Sequence, residues 1–378
     1  MNAAASARAE GMLKITAIDA LVCSLPVIHR AGVPTLAGVP RKNLDMLLVR
    51  VTTDAGLIGW GEAFAHYNAW PATRAALQTL IAPRCIGKNA LDINALTDAL
   101  RRELHQVGRS GPVVYALSGV EIALWDLAGK ALGVPLHQML GGARSKSLKC
   151  YASLPRYGFI KPLVHDCEEA LTRGFDAVKI HEIGVDEIRA AASRLAGKAS
   201  GFMIDTNCPW SLDEALQVSR QLAGLDITWL EEPIYPPDDY AALARLRERS
   251  GIPIAAGENV GSVSDFEIML RTDAVDYMQP SIAKIGGVQP MRRVFELAAD
   301  TAIQVMPHTP FFGPALVATL HLCAALSPDA LIEAYFLDVA RNPFGAAVVP
   351  RNGHFAVPEG PGLGCDPDLE LLAATLIP

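Results

Sequence analysis

Polar side chains recur in the second half of this chain at an almost constant interval of 24 to 27 residues. The recurring positions are Lys179 with His181, Asp205, Glu231, Glu258, Lys284, His308 and Glu333. A strand, a loop and a returning helix occupy about that length, so each of these groups is predicted to end one strand of a repeating unit. In a parallel barrel all strand ends open toward one mouth, so side chains distant in sequence converge there. The interval therefore predicts an active site.

Eight short apolar segments alternate with amphipathic, alanine-rich segments across residues 143–342. The apolar segments are KCYASL, AVKIH, GFMIDT, ITWLEEP, PIAAGEN, VDYMQP, IQVMPH and LIEAY. This alternation predicts a parallel α/β barrel of strands and returning helices. The last stretch, residues 343–378, is rich in Pro and Gly and is predicted to fold back against the N-terminal part of the chain.

The N-terminal part has a different pattern, which favours a separate α+β unit over residues 13–142. Residues 13–25 and 45–53 have the β-branched and apolar composition of strands, and a D-A-G turn follows the second of them, as in an antiparallel meander. After this turn, the apolar residues are spaced as in amphipathic helices. Residues 1–12 are predicted to be a disordered leader, and the long loop 26–43, which contains three prolines, is predicted to be a lid.

Composition argues against several classes of protein. Of the 378 residues, 51% are hydrophobic and 19% charged, which is enough apolar material for a sizeable core. The net charge of −7 and the lack of a Lys/Arg run argue against nucleic acid as a partner. Without a signal peptide or an 18-residue uncharged apolar run, the sequence predicts a cytoplasmic protein with no membrane span. The seven cysteines lack CxxC spacing and predict reduced thiols.

Asp205, Glu231 and Glu258 each follow an apolar strand segment and stand in register. Hard divalent cations such as Mg²⁺ prefer carboxylate oxygens, and three strand-end carboxylates can meet around one ion. Taken singly, each acid is more simply explained as a helix cap or a solvent-exposed residue. Three in one register are difficult to explain in that way, so the sequence favours a metal site made of these three residues.

Three segments carry a resemblance to a known family. They are LSGVEIALWDLAGKALGVPLHQMLGG at residues 117–142, MIDTN at residues 203–207 and WLEEP at residues 229–233. Along nearly its whole length the chain resembles the mandelate racemase and muconate lactonizing branch of the enolase superfamily. The resemblance implies an N-terminal α+β capping domain on a modified (β/α)₇β barrel, a Mg²⁺ cofactor and a homo-oligomer, from dimer to octamer. It also implies removal of the proton α to a carboxylate, which gives a metal-stabilised enediolate.

The resemblance assigns a role to most of the recurring residues. Asp205, Glu231 and Glu258 match the three metal ligands of the family. Lys179 and His181 match the basic motif of the family's second strand, and His308 matches the histidine of the seventh strand. Glu333 matches an acid of the eighth strand, which in the family hydrogen-bonds the substrate carboxylate.

Lys179 and His181 are two residues apart, so on a strand their side chains project to the same face. The charge of Lys179 is predicted to lower the pKa of His181 and to leave it a neutral base at about pH 7. Alternatively, Lys179 binds the substrate carboxylate directly. Considered in isolation, the two residues are better explained as a solvated strand-end lysine and a rim histidine, but next to the metal triad catalytic roles are favoured.

Two departures from the family pattern bear on the reaction. The racemase-like branch has Lys-x-Lys where this chain has Lys179 and His181. Ser281 stands where that branch has an aspartate that orients the strand-seven histidine, and where muconate lactonizing enzymes have a lysine base. Without a carboxylate partner, His308 is predicted to be a weaker and less fixed base, better suited to donate a proton to a leaving hydroxyl. Lys284 is predicted to support the structure, with substrate binding as its alternative.

Other residues are candidates for substrate binding. Asn207 lies two residues after Asp205 and is predicted to contact either the substrate or a metal-bound water; the alternative is a turn residue. The same alternatives apply to Asn259, which directly follows Glu258. His29 and Arg30, on loop 26–43, either bind the distal end of a polar substrate or are solvated. The remaining candidates for the lid or the pocket wall are Arg41, Lys42, Tyr67 and Trp70.

The predicted function is Mg²⁺-dependent removal of the α-proton of a small carboxylic acid. Dehydration of an aldonate or aldarate to a 2-keto-3-deoxy acid is the favoured overall reaction, because the polar loop 26–43 suits a hydroxylated substrate. The nearest alternative is a racemase, epimerase or cycloisomerase that uses His181 and His308 on opposite faces of the substrate. A third alternative is a metal-binding barrel without catalytic activity.

Overall fold

The computed structural model describes residues 12–29, 32–33, 35–36, 39–40 and 42–378. The predicted leader, apart from Met12, lies outside the described residues, as do Arg30 and Arg41. The described chain forms an antiparallel sheet with helices at its N-terminal end, followed by a curled sheet that contains eight parallel strands. This architecture confirms the predicted fold class, a modified α/β barrel preceded by an α+β part.

Three long antiparallel strands form the base of the N-terminal layer. Strand β1 (Ile15–Ile28) pairs with β4 (Asn43–Thr53), which in turn pairs with β5 (Ile58–Ala63). Between β1 and β4, the short strands β2 (Thr35–Leu36) and β3 (Val39–Pro40) pair with one another. The meander predicted from the sequence therefore forms, with a small hairpin inside loop 26–43.

Helices cover one face of this sheet. They are a 3₁₀ turn (His66–Asn68), α1 (Trp70–Ala76), a π segment (Leu77–Ile81), α2 (Ala82–Cys85), α3 (Ile93–Glu103), α4 (Pro112–Leu132) and α5 (Leu136–Met139). Helix α4 comes very close to β5 because both surfaces carry glycine. A Cβ at Gly59 would lie 2.2 Å from the carbonyl oxygen of Ala123, and one at Gly61 would lie 1.9 Å from that of Gly119. The G-W-G sequence of β5 is therefore what admits the helix.

Eight parallel strands make up the barrel sheet. They are β6 (Ser147–Ser153), β7 (Ala177–Ile180), β8 (Gly201–Asp205), β9 (Trp229–Glu231), β10 (Ile254–Ala256), β11 (Tyr277–Met278), β12 (Gln304–Val305) and β13 (Ile332–Tyr335). Strands β6 to β12 pair in sequence order, and β13 returns to pair with β6. Thr309, beyond β12, donates its backbone N–H to Glu333 Oε2 at 2.8 Å and its hydroxyl to Glu333 O at 2.9 Å, which links β12 to β13.

The returning helices surround this sheet. They are α6 (Ile160–Thr172), α7 (Val185–Leu195), α8 (Leu212–Gln221), α9 (Tyr240–Ser250), α10 (Val263–Arg271), α11 (Ile282–Ile285), α12 (Val288–Ala298) and α13 (Pro314–Leu326). Several starts are fixed by their own side chains. Ser211 and Glu214 form a capping box at α8, and Asp239 and Ser262 cap α9 and α10.

The C-terminal segment joins both sheets. Strand β14 (Asp338–Val339) and the terminal strand β16 (Leu376–Ile377) pair with β1, whereas β15 (His354–Ala356) pairs with β6 of the barrel. A 3₁₀ turn (Gly345–Val348) and helix α14 (Leu369–Thr375) lie between them. The segment therefore holds the N-terminal layer against the barrel.

Three buried carboxylates also join the N-terminal layer to the rest of the chain, and we call them the interface carboxylates. Glu62 accepts the N–H of Ala315 at the start of α13 at 3.0 Å. Glu121 accepts the first two N–H groups of α12 at 2.6 and 2.9 Å. Asp126 accepts the N–H groups of Trp60 and Leu363 at 2.9 and 2.8 Å. Two of them thus satisfy helix N-termini, which have no intrahelical acceptor.

All seven cysteines are free, and five of them are buried. Among the described helices, none combines the length and the apolar character that a membrane span requires.

Candidate active site

Three buried carboxylates meet at the mouth of the barrel. Asp205 and Glu231 are the last residues of β8 and β9 and lie opposite one another in the parallel pairing, and Glu258 follows β10 by two residues. One oxygen from each of the three lies within 4.8 Å of the others, and no other such group of potential ligands occurs among the described residues. The predicted register thus brings the three acids together.

This triad has the chemistry of a site for a hard divalent cation. It offers only oxygen atoms, without sulfur or imidazole, and Mg²⁺ favours such a set. Three carboxylates so close together also repel one another unless a cation lies between them. Burial, together with the charges of Asp205 and Glu333, raises the pKa of Glu231 to about 8 despite the nearby Lys179.

Lys179 is fully buried beneath the triad. Its Nζ lies 2.8 Å from Glu231 Oε1, 3.1 Å from Glu333 Oε1 and 3.6 Å from Asp205 Oδ2, and the Tyr151 ring lies below it. Burial acts to lower the pKa of Lys179, but the surrounding carboxylates hold it well above its ordinary value. In this structure Lys179 is therefore a permanently charged counter-ion of the acids.

His181 lies directly after β7, and its two ring nitrogens face different partners. Nδ1 lies 2.5 Å from the carbonyl oxygen of Leu154 and Nε2 lies 3.1 Å from Asp205 Oδ2. Because a carbonyl only accepts hydrogen bonds, Nδ1 carries a proton and Nε2 is the nitrogen that faces the triad. Burial lowers the pKa of His181 and Lys179 lowers it further, but Asp205 outweighs both and raises it. The prediction of a lowered pKa is therefore wrong for this structure, because the carboxylate is in direct contact.

His308 lies three residues beyond β12, across the triad from His181. Its Nε2 is 2.8 Å from Glu258 Oε2, and burial is outweighed by this contact, so the pKa of His308 is raised. The prediction of a weaker base did not include this contact with Glu258, a member of the triad; at the strand-six position itself the chain has Ser281 and no carboxylate. Ser281 Oγ and His308 Nδ1 are both buried and have no hydrogen-bond partner within the described part of the chain.

Glu333, on β13, is held from three sides. Ser153 donates its hydroxyl to Glu333 Oε1 at 2.7 Å, the Thr309 N–H donates to Oε2 at 2.8 Å, and Lys179 Nζ lies 3.1 Å from Oε1. Burial raises the pKa of Glu333, but Lys179 and His308 lower it to below its ordinary value. Glu333 is thus a fixed anion at the edge of the site.

Lys284 departs from the predicted series, because it lies on the short helix α11 and not at the end of β11. Its Nζ donates to Asn259 Oδ1 at 3.1 Å, is 3.9 Å from Glu258 Oε1, and stacks over the Phe64 ring of the N-terminal layer at 4.8 Å. Phe64 in turn contacts the Tyr115 ring of α4 at 5.0 Å. The N-terminal layer therefore supplies an aromatic wall next to the triad.

Asn207 contacts a triad member directly. Both its backbone N–H and its side-chain amide donate to Asp205 Oδ1 at 2.9 Å, and its φ of +52° places it in the left-handed region. Asn207 therefore orients one carboxylate of the triad.

The remaining candidates lie farther out. His29 and Lys42 are exposed, and Trp70 packs half-buried against the core of the N-terminal layer. The side chain of Tyr67 lies outside the described residues, as do Arg30 and Arg41. Substrate binding by these residues stays a prediction.

Several residues that touch the site were not predicted from the sequence, among them Ser153 and Arg156. Ser153, which binds Glu333, precedes Lys179 by the same interval that separates Lys179 from Asp205 and could have been found by extending the series backward. Arg156 contacts the ends of β7 and β8 from the loop after β6, and no spacing signal marks it.

Two family models match the chain, in agreement with this arrangement. One is described as mandelate racemase / muconate lactonizing enzyme, N-terminal domain, and matches residues 26–141; the other is described as enolase C-terminal domain-like and matches residues 162–371. The chain belongs to the mandelate racemase and muconate lactonizing enzyme family. The resemblance inferred from the sequence is thereby confirmed.

Members of this family with named activities align along most of the chain. The D-galactarolactone cycloisomerase of Agrobacterium fabrum is 31% identical over 97% of this chain and 100% of that protein. The D-xylonate dehydratase of Haloferax volcanii is 31% identical over 89% of this chain and 86% of that protein. A mandelate racemase/muconate lactonizing protein of Paracoccus denitrificans, solved in complex with magnesium, is 28% identical with a TM-score of 0.84 and covers 97% of this chain and 98% of its own.

Proposed function

We propose that this family member dehydrates a sugar acid to a 2-keto-3-deoxy acid, with Mg²⁺ held by Asp205, Glu231 and Glu258. One observation carries the proposal: a buried triad of carboxylates has a histidine on each side of it. Named dehydratases among the relatives, such as the D-xylonate dehydratase of Haloferax volcanii, support a sugar acid as the substrate class.

The difficulty of the reaction is the weak acidity of a proton α to a carboxylate. A divalent cation held by Asp205, Glu231 and Glu258 would supply positive charge next to the substrate carboxylate, which gains negative charge as the proton leaves. His181 removes the proton: its Nδ1–H is held by Leu154 O and its Nε2 faces the triad. A cation bound by Asp205 would oppose the effect by which this carboxylate raises the pKa of His181, and so would favour the neutral base. Lys179 and Glu333 remain paired with one another next to the triad, so that the positive charge of one and the negative charge of the other stay in place.

His308 completes the elimination by protonating the leaving hydroxyl on the carbon next to the α-carbon. Its Nε2 lies 2.8 Å from Glu258, whereas His181 contacts Asp205, so His308 is placed to donate a proton from the other side of the triad. The aromatic wall of Phe64 and Tyr115 reduces contact with water on the same side.

The second candidate function is a cycloisomerase, which the Agrobacterium fabrum relative favours. If the leaving group is a ring oxygen and not a hydroxyl, the same base and acid open the ring without loss of water, so the product is an isomer of the substrate. The two candidates differ in the leaving group and not in the roles of His181 and His308.

The test is a panel of aldonates, aldarates and their lactones incubated with Mg²⁺ in D₂O, with keto-acid formation and deuterium incorporation measured together. We expect keto acid from at least one open-chain acid, abolished by EDTA and by His308→Asn. His105→Asn is the matched control, because His105 is exposed and its ring contacts only a backbone carbonyl in the described structure. Keto acid from lactones alone would favour the cycloisomerase, and deuterium exchange without keto acid would favour a racemase or epimerase.

We propose also that the protein is cytoplasmic and assembles as a homo-oligomer, from dimer to octamer. The seven free cysteines support the first statement. The family resemblance supports the second, and light scattering of the purified protein tests it.

A further inference from the structure

Arg156 contacts residues next to the triad, and the proposed reaction does not use it. It lies in the loop after β6, and its guanidinium reaches the ends of two neighbouring strands. Nε donates to the carbonyl oxygen of His181, and Nη2 donates to Thr206 O at 3.0 Å and to Asn207 Oδ1 at 3.1 Å. One rigid planar group therefore holds three acceptors that belong to the base strand and the metal strand.

Each of these acceptors belongs to a residue that either takes part in the proposed site or is adjacent in sequence to a residue that does. The His181 carbonyl belongs to the residue whose Nε2 faces the triad. The Asn207 amide held by Arg156 donates to Asp205 Oδ1 at 2.9 Å, so its orientation fixes that carboxylate. Because the amide oxygen of Asn207 points to Arg156, its NH₂ group is the part that faces Asp205.

The backbone at Arg156 and at the two residues after it is held by hydrogen bonds. The carbonyl oxygen of Arg156 accepts the N–H of Thr35 on β2 at 2.9 Å. Glu182, directly after His181, accepts the N–H groups of Tyr157 and Gly158 at 2.7 and 3.1 Å. The guanidinium is thus presented from a fixed segment, and movement of the segment would be transmitted to both strand ends.

We propose that Arg156 is a positioning residue that fixes the base His181 and the metal ligand Asp205 relative to one another. Its link to the base rests on the proposed function, whereas its link to Asp205 concerns metal binding alone. Loss of a hydrogen bond to a metal ligand typically weakens metal affinity or activity about 10- to 100-fold, and Arg156 holds Asn207, which makes such a bond to Asp205. Lysine cannot replace arginine fully, because a single ammonium lacks the planar fork that reaches three acceptors.

The experiment compares Arg156→Met, Arg156→Lys and Arg189→Met with the wild type. Arg189 is the matched control, since it also donates to a backbone carbonyl, that of Gln221 at 2.7 Å, but on the outside of the barrel. Mn²⁺ affinity of the substrate-free protein is measured by electron paramagnetic resonance, and thermal unfolding is recorded for each variant. We expect Arg156→Met to weaken Mn²⁺ binding by roughly 10-fold or more, Arg156→Lys by less, and Arg189→Met not at all.

Steady-state kinetics on an acid that the wild type consumes gives the second readout. Loss of positioning lowers kcat with little change in KM, because the substrate still binds while the base is misplaced. Mn²⁺ affinity of Arg156→Met within twofold of the wild type would overturn the proposal, as would an equal loss in Arg189→Met. If the wild type consumes no acid, the proposed function fails and the Mn²⁺ measurement still decides the role of Arg156. If Arg156→Met does not fold, Arg156→Lys is judged by the same criterion.

Discussion

The barrel mouth and the interface of the N-terminal layer both bury carboxylates, but they satisfy them differently. At the mouth, Asp205, Glu231, Glu258 and Glu333 face the side-chain cations Lys179, His181 and His308. At the interface, Glu62, Glu121 and Asp126 accept backbone N–H groups of helix starts and loops, and Asp126 also pairs with Lys130 Nζ at 2.7 Å. Backbone donors are fixed by the fold, whereas side-chain cations can be displaced. The comparison therefore separates carboxylates that hold the structure together from carboxylates that can exchange partners with a metal and a substrate.

The largest effect is expected from Glu231→Gln at the mouth. The change removes one metal ligand, and activity is expected to fall by about 10³-fold or more. Stability of the metal-free protein is expected to change less than activity, because burial disfavours the charged form of Glu231 and raises its pKa. Turnover, Mg²⁺ affinity and urea unfolding on the same preparation check this. Wild-type Mg²⁺ affinity in this variant would remove Glu231 from the ligand set.

His308→Asn is expected to separate the two halves of the reaction. Dehydration should fall by about 10²- to 10⁴-fold, the usual contribution of a general acid, while exchange of the α-proton with D₂O continues through His181. The ratio of exchange to keto-acid formation measures this separation. Equal loss of both activities would show that His308 does more than protonate the leaving group.

At the interface, Glu121→Ala is expected to lower stability and leave the mouth intact. It leaves the N–H groups of Val288 and Gln289 at the start of α12, and the indole N–H of Trp125, without their acceptor. The expected loss is about 1–3 kcal/mol of unfolding free energy, with unchanged Mg²⁺ affinity. Urea denaturation and metal titration test the two parts, and Glu121→Gln, which keeps one acceptor oxygen, should lose less. A changed metal affinity would mean that the two regions are coupled.

Over a single pH unit, the smallest effect on stability is expected from the titration of Glu62. Burial raises the pKa of Glu62 to about 8, above its ordinary value of 4.5, although Ala315 N–H acts in the opposite direction. Between these two values the folded protein binds more protons at this site than the unfolded chain, so stability falls as pH rises through this window, by at most about 1.4 kcal/mol per pH unit. Urea unfolding at several pH values should show a steeper fall for the wild type than for Glu62→Gln. Identical slopes would contradict the assigned shift.

The strand positions could be predicted because each apolar segment is followed by a polar residue at a nearly fixed distance. Asp205 and Glu231 accordingly end β8 and β9 and lie opposite one another. The same argument failed for Lys284, because β11 ends at Met278 and the chain then turns into α11. A polar residue near the expected interval is therefore not always at a strand end.

The sequence by itself determined the order of strands and the identity of the carboxylates, because both follow from local spacing along the chain. Only the tertiary structure decided which charges meet. Glu258 pairs with His308 across 50 residues of sequence, Asp205 raises the pKa of His181, and Arg156 joins two strand ends from the loop before them. The physical reason is that electrostatic and hydrogen-bond energies depend on distances of a few ångströms, and the packing of the barrel sets those distances.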